Sequence, residues 1–69
     1  MQVIKKEVGV FDNKKYATYT FNTGHQYRVH SNGAEFAYTP KGNYTSQLTL
    51  RKLCRLASEY EDCQVQIPA

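Results

Sequence analysis

The sequence has no tryptophan, one methionine, two cysteines and two prolines, and each shortage removes a class of protein. Two cysteines in 69 residues cannot build a disulfide scaffold. Two prolines and four glycines are too few for a collagen-like or low-complexity chain. No apolar run approaches the roughly 20 residues a membrane span needs. The start, Met1-Gln2-Val3-Ile4-Lys5-Lys6, puts no apolar stretch behind its charges, so no signal peptide is expected. With reduced thiols, that predicts a cytoplasmic protein. Nucleotide-binding glycine motifs, zinc-finger spacings and nucleophile elbows are all missing.

Aliphatic bulk is scarce as well. Leu, Ile, Val and Phe number 4, 2, 5 and 3, which is 14 of 69 residues. A highly charged chain at that level stays disordered. Here the net charge is only +3 and six tyrosines add apolar area. The expectation is one small folded domain over residues 1–69, with tyrosine in its core.

Acids are rare until late. Residues 1–58 hold all nine Lys and Arg against Glu7, Asp12 and Glu35, whereas residues 59–69 hold Glu59, Glu61 and Asp62 and no base. This balance excludes an acidic mimic of DNA and permits a nucleic-acid or acidic-protein partner.

Four turn signals are present: Asp12-Asn13-Lys14-Lys15, Asn22-Thr23-Gly24, Ser31-Asn32-Gly33-Ala34 and Pro40-Lys41-Gly42-Asn43. The runs between them are rich in Val, Tyr, Phe and Thr, which predicts four strands in a meander. Asn32-Gly33 suits a two-residue type I′ turn, setting His30 against Glu35, Val29 against Phe36, Arg28 against Ala37 and Tyr27 against Tyr38. A three-residue loop at Asn22–Gly24 sets Tyr19 against Tyr27, Thr18 against Arg28, Ala17 against Val29 and Tyr16 against His30. A turn centred on Asn13-Lys14 sets Phe11 against Tyr16, Val10 against Ala17 and Val8 against Tyr19.

Together these registers predict a core face of Val8, Val10, Ala17, Tyr19, Tyr27, Val29, Phe36 and Tyr38. The other face is mixed and polar, with Phe11, Tyr16 and His30 at one corner.

The period then changes. Leu50, Leu53, Cys54, Ala57 and Tyr60 recur at helical spacing, and Thr45 or Ser46 can cap the start. The pattern predicts a helix from about Ser46 to about Tyr60, with Arg51, Lys52, Arg55 and Glu59 on its outer side. Cys63-Gln64-Val65-Gln66-Ile67 alternates and predicts a short fifth strand. The expected fold is therefore α+β in two layers, β-β-β-β-α-β, with one helix on one face of an antiparallel sheet.

Three constellations carry chemistry. His25, His30, Cys54 and Cys63 do not make a zinc site, because the two histidines would sit on opposite faces of one strand, roughly 16 Å apart. No metal or other cofactor is expected. His30, Glu35, Tyr16 and Arg28 resemble an acid–base set, but nothing in the sequence suggests a cleft to dry them, so they are read as a solvated cross-strand pair on a polar face and the chain as no enzyme.

The last constellation is Phe11, Tyr16, Arg28 and His30 with Thr18, beside a strand glycine, Gly9, that leaves flat space for a partner. It is read as a partner-binding patch. Arg51, Lys52 and Arg55 form a secondary basic patch. The function this predicts is a small non-enzymatic binding protein, an inhibitor or accessory module of viral or mobile-element type. It would occlude or tether a protein partner through its sheet face. The alternative is a nucleic-acid-binding module using that face or the basic helix.

Overall fold

The computed structural model describes the backbone of residues 1–66 and the side chains of residues 1–62. Four strands, β1 (Val3–Phe11), β2 (Lys14–Phe21), β3 (Gln26–His30) and β4 (Glu35–Tyr38), precede one helix, α1 (Gln47–Gln66). The strands form an antiparallel sheet in the order β1-β2-β3-β4, and α1 packs on one side of it. The α+β meander with a single covering helix is the architecture expected.

Pairing of β2 with β3 follows the predicted register, with Tyr16 opposite His30, Ala17 opposite Val29, Thr18 opposite Arg28 and Tyr19 opposite Tyr27. Gly24, at φ +93°, supplies the left-handed residue that the three-residue loop requires.

The first hairpin differs by two residues. Its turn is Asp12-Asn13, both with positive φ (52° and 62°), so Phe11 pairs with Lys14 and Gly9 with Tyr16. Asp and Asn tolerate this conformation, and a two-residue primed turn matches strand twist. A shift of two leaves every side chain on its predicted face.

The third hairpin differs by one residue, and there the faces change. Its loop is Ser31–Gly33, closed by the His30 N–H donating to the Ala34 carbonyl at 2.9 Å. Only Gly33 has positive φ (+92°), while Asn32 accepts the Ala34 N–H at 3.0 Å through its side chain. Asn32 thus caps the loop instead of adopting the strained conformation a type I′ turn demands. Tyr27 now faces Ala37, Arg28 faces Phe36 and Val29 faces Glu35. Phe36 and Tyr38 therefore lie on the sheet face away from the helix, not in the core. Ala37 takes their place beneath α1 at 2 % exposure, and its small size lets the helix approach closely.

The core consists of Tyr19, Phe21, Tyr27, Ala37, Leu53 and Ala57. Phe21 and Leu53 are fully buried. Val8 and Val10, expected there, are 67 % and 65 % exposed. The described part of the helix meets the start of β1, where Val3 packs on the core and Lys6 pairs with Glu61, and leaves Val8 and Val10 in the β1–β2 hairpin uncovered.

Ser46 caps α1, its Oγ accepting the Thr49 N–H at 3.3 Å. The helix then runs past the predicted end. Residues Cys63–Gln66 continue α1, which corrects the fifth strand; Ile67 lies outside the described residues. No Gly or Pro separates Tyr60 from Gln66, and lengthening a formed helix adds one backbone bond per residue, whereas a strand would have needed a turn first.

Candidate functional site: the aromatic sheet face

The helix-free face gathers the residues expected to bind a partner and adds others. Tyr16, Arg28 and His30 are brought together by the β2–β3 register. The β4 shift brings in Phe36 and Tyr38, and the returning chain beyond β4 adds Tyr44, which bridges to Tyr38.

The rings contact one another in two groups. Tyr16 and His30 lie 5.6 Å apart between centroids, and His30 meets Phe36 edge-on at 5.5 Å and 89°. Tyr38 stacks on Tyr44 at 5.4 Å. The Arg28 guanidinium sits 4.9 Å from the Tyr16 ring centre, a cation–π distance. Its Nε–H donates to Thr18 Oγ1 at 3.0 Å.

Thr18 is buried, so it holds Arg28 in place and is not itself a contact surface, which refines its expected role. Phe11 and Tyr44 are 71 % and 72 % exposed and stand at the rim. A shallow cleft of about 270 Å³ lies among Phe11, Tyr16, His30, Phe36 and Tyr44.

Gly9 does not leave open space. Tyr16 lies across it, so close that a Cβ there would meet the Tyr16 hydroxyl oxygen at 2.5 Å. The flat surface expected at the glycine is instead the face of the Tyr16 ring.

Glu35 has left this face. Its carboxylate accepts the Tyr27 O–H at 2.5 Å and the Cys54 thiol at 3.3 Å on the helix side. The Tyr27 hydrogen bond, then that of Cys54, hold the Glu35 carboxyl below its ordinary range. His30 and Glu35, set opposite each other in the sequence reading, are on opposite sides of the sheet.

Burial, then the contact with Glu35 and Cys54, pushes the Tyr27 hydroxyl up. A parallel arrangement joins Lys6, Tyr19 and Glu61, where Tyr19 donates to Glu61 at 2.7 Å. Both core tyrosines thus bury their rings and keep their hydroxyls paired, as buried tyrosine requires.

Arg51, Lys52 and Arg55 are exposed on the outer side of α1, across the molecule from the aromatic face. Arg55 pairs with Glu59 at 3.4 Å, one helical turn on. The two patches identified in the sequence are therefore separate surfaces. No described helix is long and apolar enough to cross a membrane. The sequence signal for Phe36, Tyr38 and Tyr44 was their aromatic character alone; the one-residue loop difference concealed their side of the sheet.

No family model matches this chain, and searches of the curated proteins and of the solved structures return no match.

Proposed function

We propose that the chain is a non-enzymatic binding module that occludes or tethers a protein partner through its aromatic sheet face. The observation that carries this reading is the continuous array of Tyr16, Arg28, His30 and Phe36, packed ring against ring on a four-stranded frame. Interfaces concentrate their energy in aromatic and Arg anchors ringed by water-excluding contacts. The anchors here are half-buried against each other before any partner arrives, so little side-chain freedom is lost on docking.

His30 has aromatic neighbours on two sides and, among the described residues, no hydrogen bond or ion pair to a carboxylate, which favours recognition over acid–base chemistry. The outer helix face offers long flexible cations, which tune encounter rate more than affinity.

A second reading uses the same rings. Exposed Tyr44 stacked on Tyr38, with Lys41 in the adjoining loop, could carry unpaired bases of a single-stranded nucleic acid. Salt separates the two, because phosphate binding weakens steeply with ionic strength.

The test is affinity capture from native extract by the wild type, Tyr16→Ala/Arg28→Ala and Arg51→Ala/Arg55→Ala, beside oligonucleotide titration at two salt concentrations. One dominant protein lost only with the sheet pair supports the first reading. Salt-sensitive oligonucleotide binding without a captured protein supports the second.

A further inference from the structure

Of the two sheet edges, one is closed by the chain itself. Beyond β4 the Thr45 N–H donates to the Ala37 carbonyl at 3.1 Å and the Thr39 N–H to the Asn43 carbonyl at 2.7 Å. The outer side of β1 has no strand beside it among the described residues.

The register fixes which groups of β1 are open. Ser31 donates to the Lys15 carbonyl and Phe21 to the His25 carbonyl, whereas Asn22 donates to Gln2. Odd-numbered residues of β2 therefore address β3 and even-numbered ones address β1, where their partners are Lys5, Glu7, Gly9 and Phe11. The backbone N–H and C=O of Lys6, Val8 and Val10 point away from the sheet. Natural proteins blunt such edges or use them.

We propose that β1 is a pairing edge whose occupant is β1 of a second copy, antiparallel about a two-fold axis through Val8. The axis stands normal to the sheet, so opposed residues must share a face and open groups must meet open groups. Every register centred on a residue satisfies both conditions, and the three that pair most of β1 centre on Lys6, Glu7 and Val8; centring on Gly9 would set open Lys6 against Asp12 in the turn. Centring on Glu7 sets two Glu7 carboxylates directly opposite. Centring on Lys6 sets two ammonium groups opposite and runs into the irregularity between Val3 and Lys5. Like charges directly opposite destabilise a pair.

Centring on Val8 sets Val8 against Val8, Lys6 against Val10, Glu7 against Gly9 and Lys5 against Phe11. No like charges face each other, and all three open residues are used.

The helix-side surface agrees. Val8 and Val10 are largely exposed, with Ala17 and Val29 behind them, and two copies merge these into one apolar stripe. Glu61 brings α1 to β1 at Lys6, and exposed Asp62 follows. Lys15 of the second copy lies on that same side two strand spacings beyond Lys6, about 10 Å away. An acidic helix end thus approaches a basic hairpin. The two-fold keeps the faces in register, so both aromatic faces lie side by side on the same side of the joined sheet.

The test is light scattering over a dilution series, with amide hydrogen exchange on the wild type. The expected mass is twice 8.0 kDa, with the Lys6, Val8 and Val10 amides slowed to the rates of the β2–β3 ladder. Val8→Pro removes an outward N–H and no β1–β2 bond, and Val8→Lys sets like charges on the axis; each should yield folded monomer. A wild type that stays monomeric with those amides exchanging freely overturns the proposal. So does a dimer that survives both variants, or one whose three amides are unprotected.

Discussion

The Tyr16 ring covers Gly9 in the neighbouring strand, occupying the place a side chain would take: a Cβ on Gly9 would lie 2.5 Å from the Tyr16 hydroxyl oxygen. The missing side chain in β1 is what lets Tyr16 lie flat beneath Arg28. Gly9→Ala should therefore move the ring and weaken partner binding. Its stability cost should be small, because the ~0.4–1 kcal/mol gained by restricting the unfolded chain offsets part of the lost packing. Proton NMR checks the geometry directly. The Gly9 α-protons should be shifted upfield by the ring and return to ordinary values in Tyr16→Ala. Unshifted Gly9 protons in the wild type would contradict the arrangement.

Placement of the helix can be tested through two apolar residues. Leu53 is fully buried, so Leu53→Ala should cost about 2–4 kcal/mol in denaturant unfolding. Val8 was expected in the same core but is 67 % exposed, so Val8→Ala at monomer concentrations should cost under about 0.5 kcal/mol. Comparable costs at the two positions would mean that α1 extends over the β1–β2 hairpin.

The two tyrosine–carboxylate contacts predict the shape of the stability profile with pH. Lys6, then Tyr19, hold the Glu61 carboxyl below its ordinary 4.5, and Tyr27 does the same for Glu35. A carboxyl lowered in the folded state adds stability that is complete above 4.5 and is lost as pH falls through the folded value. Burial, ahead of the carboxylate contacts, raises the Tyr19 and Tyr27 hydroxyls above their ordinary 10.0. Their contribution is complete below 10 and is lost as pH rises further. Stability should therefore plateau between these limits. Urea midpoints measured across pH should show a shallower acid limb for Glu61→Gln than for the wild type; identical limbs would remove the contact's role.

Thiol chemistry follows from the corrected helix. Cys54 and Cys63 lie nine residues apart on α1, about 13.5 Å along the axis at 1.5 Å per residue. A disulfide needs Cα atoms within about 7 Å. Monomer mass under non-reducing conditions should match two free thiols, and reductant should leave Tm unchanged. A species two hydrogens lighter would show that the end of α1 unwinds.

What the sequence made legible was the part governed by strong local rules. The Asn22–Gly24 loop, with Gly24 as its only left-handed residue, fixed one register and with it the company of Tyr16, Thr18, Arg28 and His30. The helical stripe from Leu50 to Tyr60 identified the covering face. Two ambiguities defeated the rest. Asn32-Gly33 fits either a two-residue turn or a three-residue loop capped by Asn32, and the choice decides whether Phe36 or Ala37 meets the helix. Cys63–Ile67 alternates like a strand, yet five residues with no breaker before them fit helix elongation as well. The expectation of open space at Gly9 failed for a different reason, since it required knowing that Tyr16 is the glycine's direct cross-strand neighbour.

The central claim is that the aromatic face recognises the partner. It is tested most directly by quantitative capture with Tyr16→Ala/Phe36→Ala against Arg51→Ala/Arg55→Ala, each first shown to be folded. The sheet pair should weaken retention of the dominant partner by about 2–6 kcal/mol in total, at about 1–3 kcal/mol per anchor. The helix pair should change only its salt dependence. Full retention by the sheet pair, with loss in the helix pair, would contradict the account and assign binding to the basic helix.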